Sequence, residues 1–132
     1  MIDIADIRKA KFVDGGRTIH EIDCWGLVMI VMKRFNKHVP DFKISCYDVD
    51  GINQIKLFVE NKFVKTDKLF GGMIVAMRMD REHPEYTQHF GVSIDHKRFL
   101  HILDKTGVII SSVNDSIYKN IISGYYDWME NI

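Results

Sequence analysis

Two cysteines and six histidines are the side chains of this sequence best suited to nucleophilic and proton-transfer chemistry. Cys24 stands out by its setting. It lies in Asp23-Cys24-Trp25-Gly26-Leu27-Val28, where a loop around Gly15-Gly16 ends and an apolar, helix-periodic stretch begins. A cysteine in a first helical turn meets the positive end of the helix dipole and unpaired N–H groups, which favour thiolate over thiol. The same N–H groups could hold the oxyanion that forms when a thiolate attacks a carbonyl. The alternative is a small buried side chain on an amphipathic helix, the ordinary fate of a free cysteine. Cys46 follows no glycine loop and opens no helix, so it reads as a core or half-exposed thiol.

Chemistry at Cys24 needs a base. In His89-Phe90-Gly91-Val92-Ser93-Ile94, strand alternation puts Phe90, Val92 and Ile94 on one face and His89, Gly91 and Ser93 on the other. His101 lies on the next strand, in Arg98-Phe99-Leu100-His101-Ile102-Leu103. A three-residue turn at Asp95-His96-Lys97 pairs Ile94 with Arg98 and Gly91 with His101. His89 and His101 are then diagonal neighbours on one face, whereas a two-residue turn separates them. In the first register His101 fixes the tautomer of His89, whose other nitrogen faces the thiol, as in acyl-transfer sites. Singly, His101 also fits a half-buried histidine bonded to a carbonyl, and His89 a strand end facing water. His83, His89, His96 and His101 cluster in sequence, but none are spaced as helical zinc ligands and His96 falls in the turn. No metal or cofactor is expected. His20, His38 and His96 read as surface residues.

The elements that must position these groups follow from periodicity. Ile4, Ile7 and Ala10 have helix-like spacing within 1–10, and 13–17 reads as a loop. From Asp23 a helix runs with Cys24, Val28, Val31 and Phe35 on one face, and Pro40 bars its extension. A second helix covers about 50–62, with Ile52, Ile55, Val59 and Phe63 as its stripe. After Gly71-Gly72 the period changes to that of strands at 73–79, 90–94, 98–103 and 108–113, and 124–128 adds a last strand or an aromatic closure. Helices first and antiparallel strands second make an α+β fold, N-terminal helices packed on an antiparallel β-sheet.

At 132 residues one domain, 1–132, is expected. Eighteen basic residues balance eighteen acidic ones, which gives no reason to expect nucleic acid as a partner. The N-terminus lacks the basic and apolar regions of a signal peptide, and no apolar run approaches the ~18–20 residues of a membrane span. Two cysteines make no disulfide framework.

Gly15-Gly16, Asp23-Cys24-Trp25-Gly26-Leu27-Val28, His89-Phe90-Gly91-Val92 and Phe99-Leu100-His101-Ile102, in that order, resemble the NlpC/P60 family. Trp25 after the cysteine looks most like its phage tail-associated branch. The resemblance implies a papain-like fold and a cysteine peptidase cleaving amide bonds in peptidoglycan stem peptides, often between D-γ-glutamyl and diaminopimelate residues. It implies Cys24 as nucleophile, His89 as general base and His101 as the residue orienting it. Asp23, Trp25 and Phe12 fall at substrate-binding positions. Phe12 stands where the family often has tyrosine, Trp25 where it often has serine, and Gly71-Gly72 where a Gly-Asp pair is common. Phage tail proteins are the implied partners and the virion tail the implied location. An assembly protein on the same fold, or a thiol acyltransferase or amidase of non-wall substrates, are the other functions such a site allows.

Overall fold

The first long helix, α1 (Cys24–Arg34), starts where Asp23 turns its carboxylate back to accept the Gly26 amide. Lys33 and Arg34 close its last turn, where cations suit the helix dipole. The chain is described by a computed structural model over residues 2–79 and 89–128. Leu27, Val28, Val31 and Met32 are fully buried, and α1 packs against two strands, β5 (His89–Ser93) and β6 (Arg98–Leu103). A second helix, α2 (Val49–Lys62), is capped in the same manner by Asp48 on the Gly51 amide. Its stripe of Ile52, Ile55 and Val59 is buried, and Phe63 continues that stripe as the first residue of the next strand.

That strand, β3 (Phe63–Thr66), joins β4 (Ile74–Met77), β5, β6, β7 (Gly107–Ser112) and β8 (Ile122–Trp128) in a six-stranded sheet of order β3-β8-β4-β5-β6-β7, antiparallel throughout. A short helix, α3 (Ser116–Lys119), leads into β8. Ile74, Ala76, Phe90, Val92, Leu100 and Ile102 join the helices in one core cluster. Val75, Met77 and Phe99, on the opposite face, form a smaller one with Tyr118 and Tyr125. The α+β arrangement is therefore the one the periodicities require.

The N-terminal segment departs from its helical spacing. Ile4 to Ala10 form successive turns, with the Ile7 amide on the Ile4 carbonyl and the Ala10 amide on that of Ile7. Ile7 and Ala10 are buried as the spacing demands. So short a stretch gains too few hydrogen bonds to nucleate a helix, and the chain passes at once into a strand. That strand, β1 (Lys11–Phe12), pairs in parallel with β2 (Glu21–Ile22) around the glycine loop. Gly15 takes φ +81°, and Gly16 lies so close to the Glu21 and Ile22 backbone that a Cβ would come within 2.5 Å of it. The paired glycines thus let the loop fold onto the start of α1. Among the described residues no helix is long and apolar enough to cross a membrane.

Candidate active site

The hairpin between β5 and β6 sets the geometry. Val92 pairs with Leu100 and Ser93 with Phe99, and the Ile94 amide donates to the Arg98 carbonyl, so the turn contains the three residues Asp95 to Lys97. Asp95 builds that turn: its carboxylate accepts the Lys97 and Arg98 amides and the Arg98 side chain at 2.7–3.0 Å. Against the upward push of burial, these donors hold its carboxyl down to about 2. The register brings His89 Nε2 within 3.3 Å of His101 Nδ1, the diagonal contact that the sequence spacing allows.

His101 is fully buried, stacked on Phe99 and edge-on to Tyr118, with Nε2 3.1 Å from Ser111 Oγ. Two tautomer assignments satisfy this chain, and the one that suits a base toward the cavity has His89 Nε2–H donating to His101 Nδ1 and His101 Nε2–H donating to Ser111 Oγ. His89 Nδ1 is then an unprotonated base. Burial, then the neighbouring His101, push His89 down to about 3, and burial pushes His101 down to about 4. Both imidazoles are neutral at physiological pH.

Cys24 and His89 line one cavity of about 120 Å³, together with Phe12, Cys46, Tyr47, Ile102, Leu103 and Asp104. The amides of Phe90 and Trp25 interact with the Cys24 sulfur and favour its thiolate. They are outweighed. Burial first, and the adjacent Asp23 carboxylate second, push the thiol up to about 12. This corrects the thiolate expected at a helix start: the dipole acts there, but the position is dry and has a carboxylate next to it. The resting pair is a neutral thiol beside a neutral imidazole.

Of the expected substrate-binding residues, only Phe12 reaches the cavity. Asp23 is 1% exposed, with its oxygens taken by the Gly15 and Gly26 amides and Arg17 Nη1 at 2.6–2.8 Å. It fastens the glycine loop to α1 instead of facing a ligand. Trp25 is 2% exposed, packed between Phe42 and Phe90, with its Nε1–H donating to the Pro40 carbonyl. Its bulk serves the core.

Four residues that spacing did not single out belong to this region: Cys46, Tyr47, Asp104 and Ser111. Strand register carried the signal for two of them. Continuing the β5–β6 pairing sets Leu103 opposite His89, so Asp104 lies just beyond it, and the β6–β7 pairing of Phe99 with Ser111 puts Ser111 diagonal to His101. Cys46 and Tyr47 arrive on the α1–α2 connection, where no periodicity could place them. His20, His38 and His96 are exposed, and the described residues contain no cluster of three or more side chains suited to a metal. His83, part of the zinc alternative, lies outside the described residues. A wider cleft of about 780 Å³, lined among others by Lys65, Lys119 and Tyr125, shares no residue with the cysteine–histidine cavity.

The sequence profile of the NlpC/P60 family matches residues 9–126, which includes every residue of the cavity. The chain belongs to the NlpC/P60 family. Two solved structures show this NlpC/P60 fold. A lipoprotein-like NLP/P60 family protein from Staphylococcus aureus aligns over 95% of this chain and 38% of its own, at 16% identity and TM-score 0.63. NlpC2 from Trichomonas vaginalis aligns over 96% of this chain and 49% of its own, at 16% identity and TM-score 0.66. The chain thus spans less than half the length of either protein. No curated protein sequence matches it significantly.

Proposed function

We propose that this NlpC/P60 domain is a cysteine peptidase or amidase that cleaves amide bonds in peptidoglycan stem peptides. The observation that carries this reading is a cysteine at a helix start sharing a cavity with a histidine whose Nε2 is hydrogen-bonded to a second histidine. Because thiol and imidazole rest neutral, proton transfer accompanies attack. His89 Nδ1 takes the Cys24 proton as the sulfur adds to the amide carbonyl, and His101 steadies the imidazolium. Backbone N–H groups at the start of α1 receive the developing oxyanion. His89 then returns the proton to the leaving amine, which leaves a thioester at Cys24. Water activated by His89 hydrolyses the thioester and frees the acid and the thiol.

The Asp23-Cys24-Trp25-Gly26 block supports a finer reading, delivery on a phage or prophage tail. To test the core proposal, muropeptides are digested with the protein and with Cys24→Ala. The expected result is one amide bond cut by the parent alone. An intact digest with a pure, folded parent protein overturns hydrolysis. A stable complex with tail proteins and no cleavage would favour the assembly role.

A further inference from the structure

The wide cleft that shares no residue with the cysteine–histidine cavity is bounded by β8, the end of β3 and the chain from Val113 to α3. Its volume of about 780 Å³ falls within the roughly 300–1,000 Å³ of small-molecule sites. The floor is apolar and held in place: Tyr125 and Ile122 line it while packing against the cluster of Val75, Met77 and Phe99. The rim is polar. Lys65, Asp67, Asn114 and Lys119 line the cleft and are exposed, and none of their side chains has a hydrogen bond or ion pair with a described residue. Two ammonium groups and a carboxylate thus border one cleft without pairing with one another.

Mixed charge of this kind suits neither an anion, which Asp67 repels, nor a cation, which the lysines repel. An apolar ligand would strip water from all four rim groups and give nothing in return. A hydroxyl both donates and accepts, so a polyhydroxylated ring can serve lysine, carboxylate and amide alike. Its C–H face meanwhile lies on the ring of Tyr125, an apolar body with a polar tip. We propose that this cleft binds an uncharged oligosaccharide, the N-acetylated amino-sugar strand to which the stem peptides are attached. The uncharged-sugar chemistry follows from the cleft, and the choice of the wall strand rests on the cysteine-hydrolase reading. Holding the strand raises the local concentration of its stem peptides at Cys24, without any contact to the scissile amide.

The test is a titration of the full chain with chitotetraose, an N-acetylated sugar with no peptide, followed by NMR of the backbone amides. Binding should move the amides of Lys119, Gly124 and Tyr125 and leave those of Cys24 and His89 in place. A dissociation constant of about 1 mM or tighter is expected, nearly independent of salt because the sugar has no charge to screen. Asn114→Ala and Lys119→Ala should each weaken binding roughly threefold or more. Tyr125→Leu, which keeps apolar bulk without a ring face, should weaken it about fivefold. Asn114 and Lys119 are exposed, so their variants should melt with the parent, and a melting curve checks this. No binding, shifts confined to the cysteine–histidine cavity, or an affinity untouched by Asn114→Ala and Lys119→Ala overturns the site. Tighter, salt-sensitive binding of an oligogalacturonate overturns the uncharged ligand, and equal binding of maltotetraose, which has no acetamido groups, overturns the choice of the wall strand. Muropeptide cleavage is scored separately. Chitotetraose binding without cleavage supports the cleft and counts against hydrolysis, and cleavage without sugar binding does the reverse.

Discussion

Cys24 feels opposing influences, and the structure decides between them. The helix start and two backbone amides favour the thiolate, while burial and the Asp23 carboxylate oppose it and prevail. Alkylation of the free protein by iodoacetamide should therefore be slow at Cys24 near pH 7 and should climb between about pH 9 and 12. Asp23→Asn removes the nearby negative charge, which stabilises the thiolate relative to the thiol, so the labelling profile should move to lower pH. A profile unmoved by Asp23→Asn would show that the carboxylate does not set the thiol. Asp23→Ala should instead be costly, about 2–4 kcal/mol, because it leaves the buried Gly26 amide and the part-buried Gly15 amide without their acceptor and removes one of the two carboxylates that Arg17 pairs with; denaturant unfolding reads that loss. The sequence announced Cys24 clearly, since glycine loop, capping Asp and apolar helix are local signals. Burial is not a local signal, and the thiol's proton depends on it.

At the scale of elements, the β5–β6 hairpin converts spacing into chemistry. Alternation fixed the strand faces in advance but left a two-residue and a three-residue turn both open, and Asp95 supplies the acceptors that the three-residue turn needs. The two-residue strands β1 and β2 are too brief to show a period, and β3 is hidden because it follows α2 with no intervening turn and its first residue, Phe63, continues the helical stripe. If the hairpin exists to hold His89 in one tautomer, His101 should matter to rate more than to substrate affinity. His101→Ala should lower kcat about a hundredfold with KM little changed, the scale of a misplaced general base. His101→Asn keeps an acceptor for His89 and should recover much of the loss. Steady-state kinetics on the cleaved muropeptide separate the cases, and an equal fall in both variants would mean that packing against Phe99 and Tyr118 is all that His101 provides.

For the whole molecule, the cavity is a product of tertiary folding: Phe12, Cys24, Cys46-Tyr47, His89 and the segment 102–104 come from five separate stretches of chain. Periodicity located the elements but not this meeting of loops, so Tyr47 and Asp104 escaped notice while the histidine pair did not. Bringing the pair into the interior also couples global stability to pH. In the unfolded chain a histidine takes up its proton near pH 6.5, whereas burial holds His89 to about 3 and His101 to about 4 in the native state. Between those limits the unfolded chain binds more protons, so stability is intact above about pH 6.5 and falls as pH drops toward 4. Each imidazole contributes a slope of up to about 1.4 kcal/mol per pH unit in that window. Carboxylates whose native values are lowered, such as Asp6, Asp14, Asp41 and Asp95, take up protons in the unfolded chain near 3.8, so their contribution begins below most of this window. Urea unfolding at pH 7, 6 and 5 should show the midpoint retreating stepwise. The doubly substituted His89→Gln, His101→Gln protein, whatever its stability at pH 7, should lose much less over the same range. Parallel retreat of the two proteins would show that other groups govern acid unfolding and that the histidine pair is not held neutral by the fold.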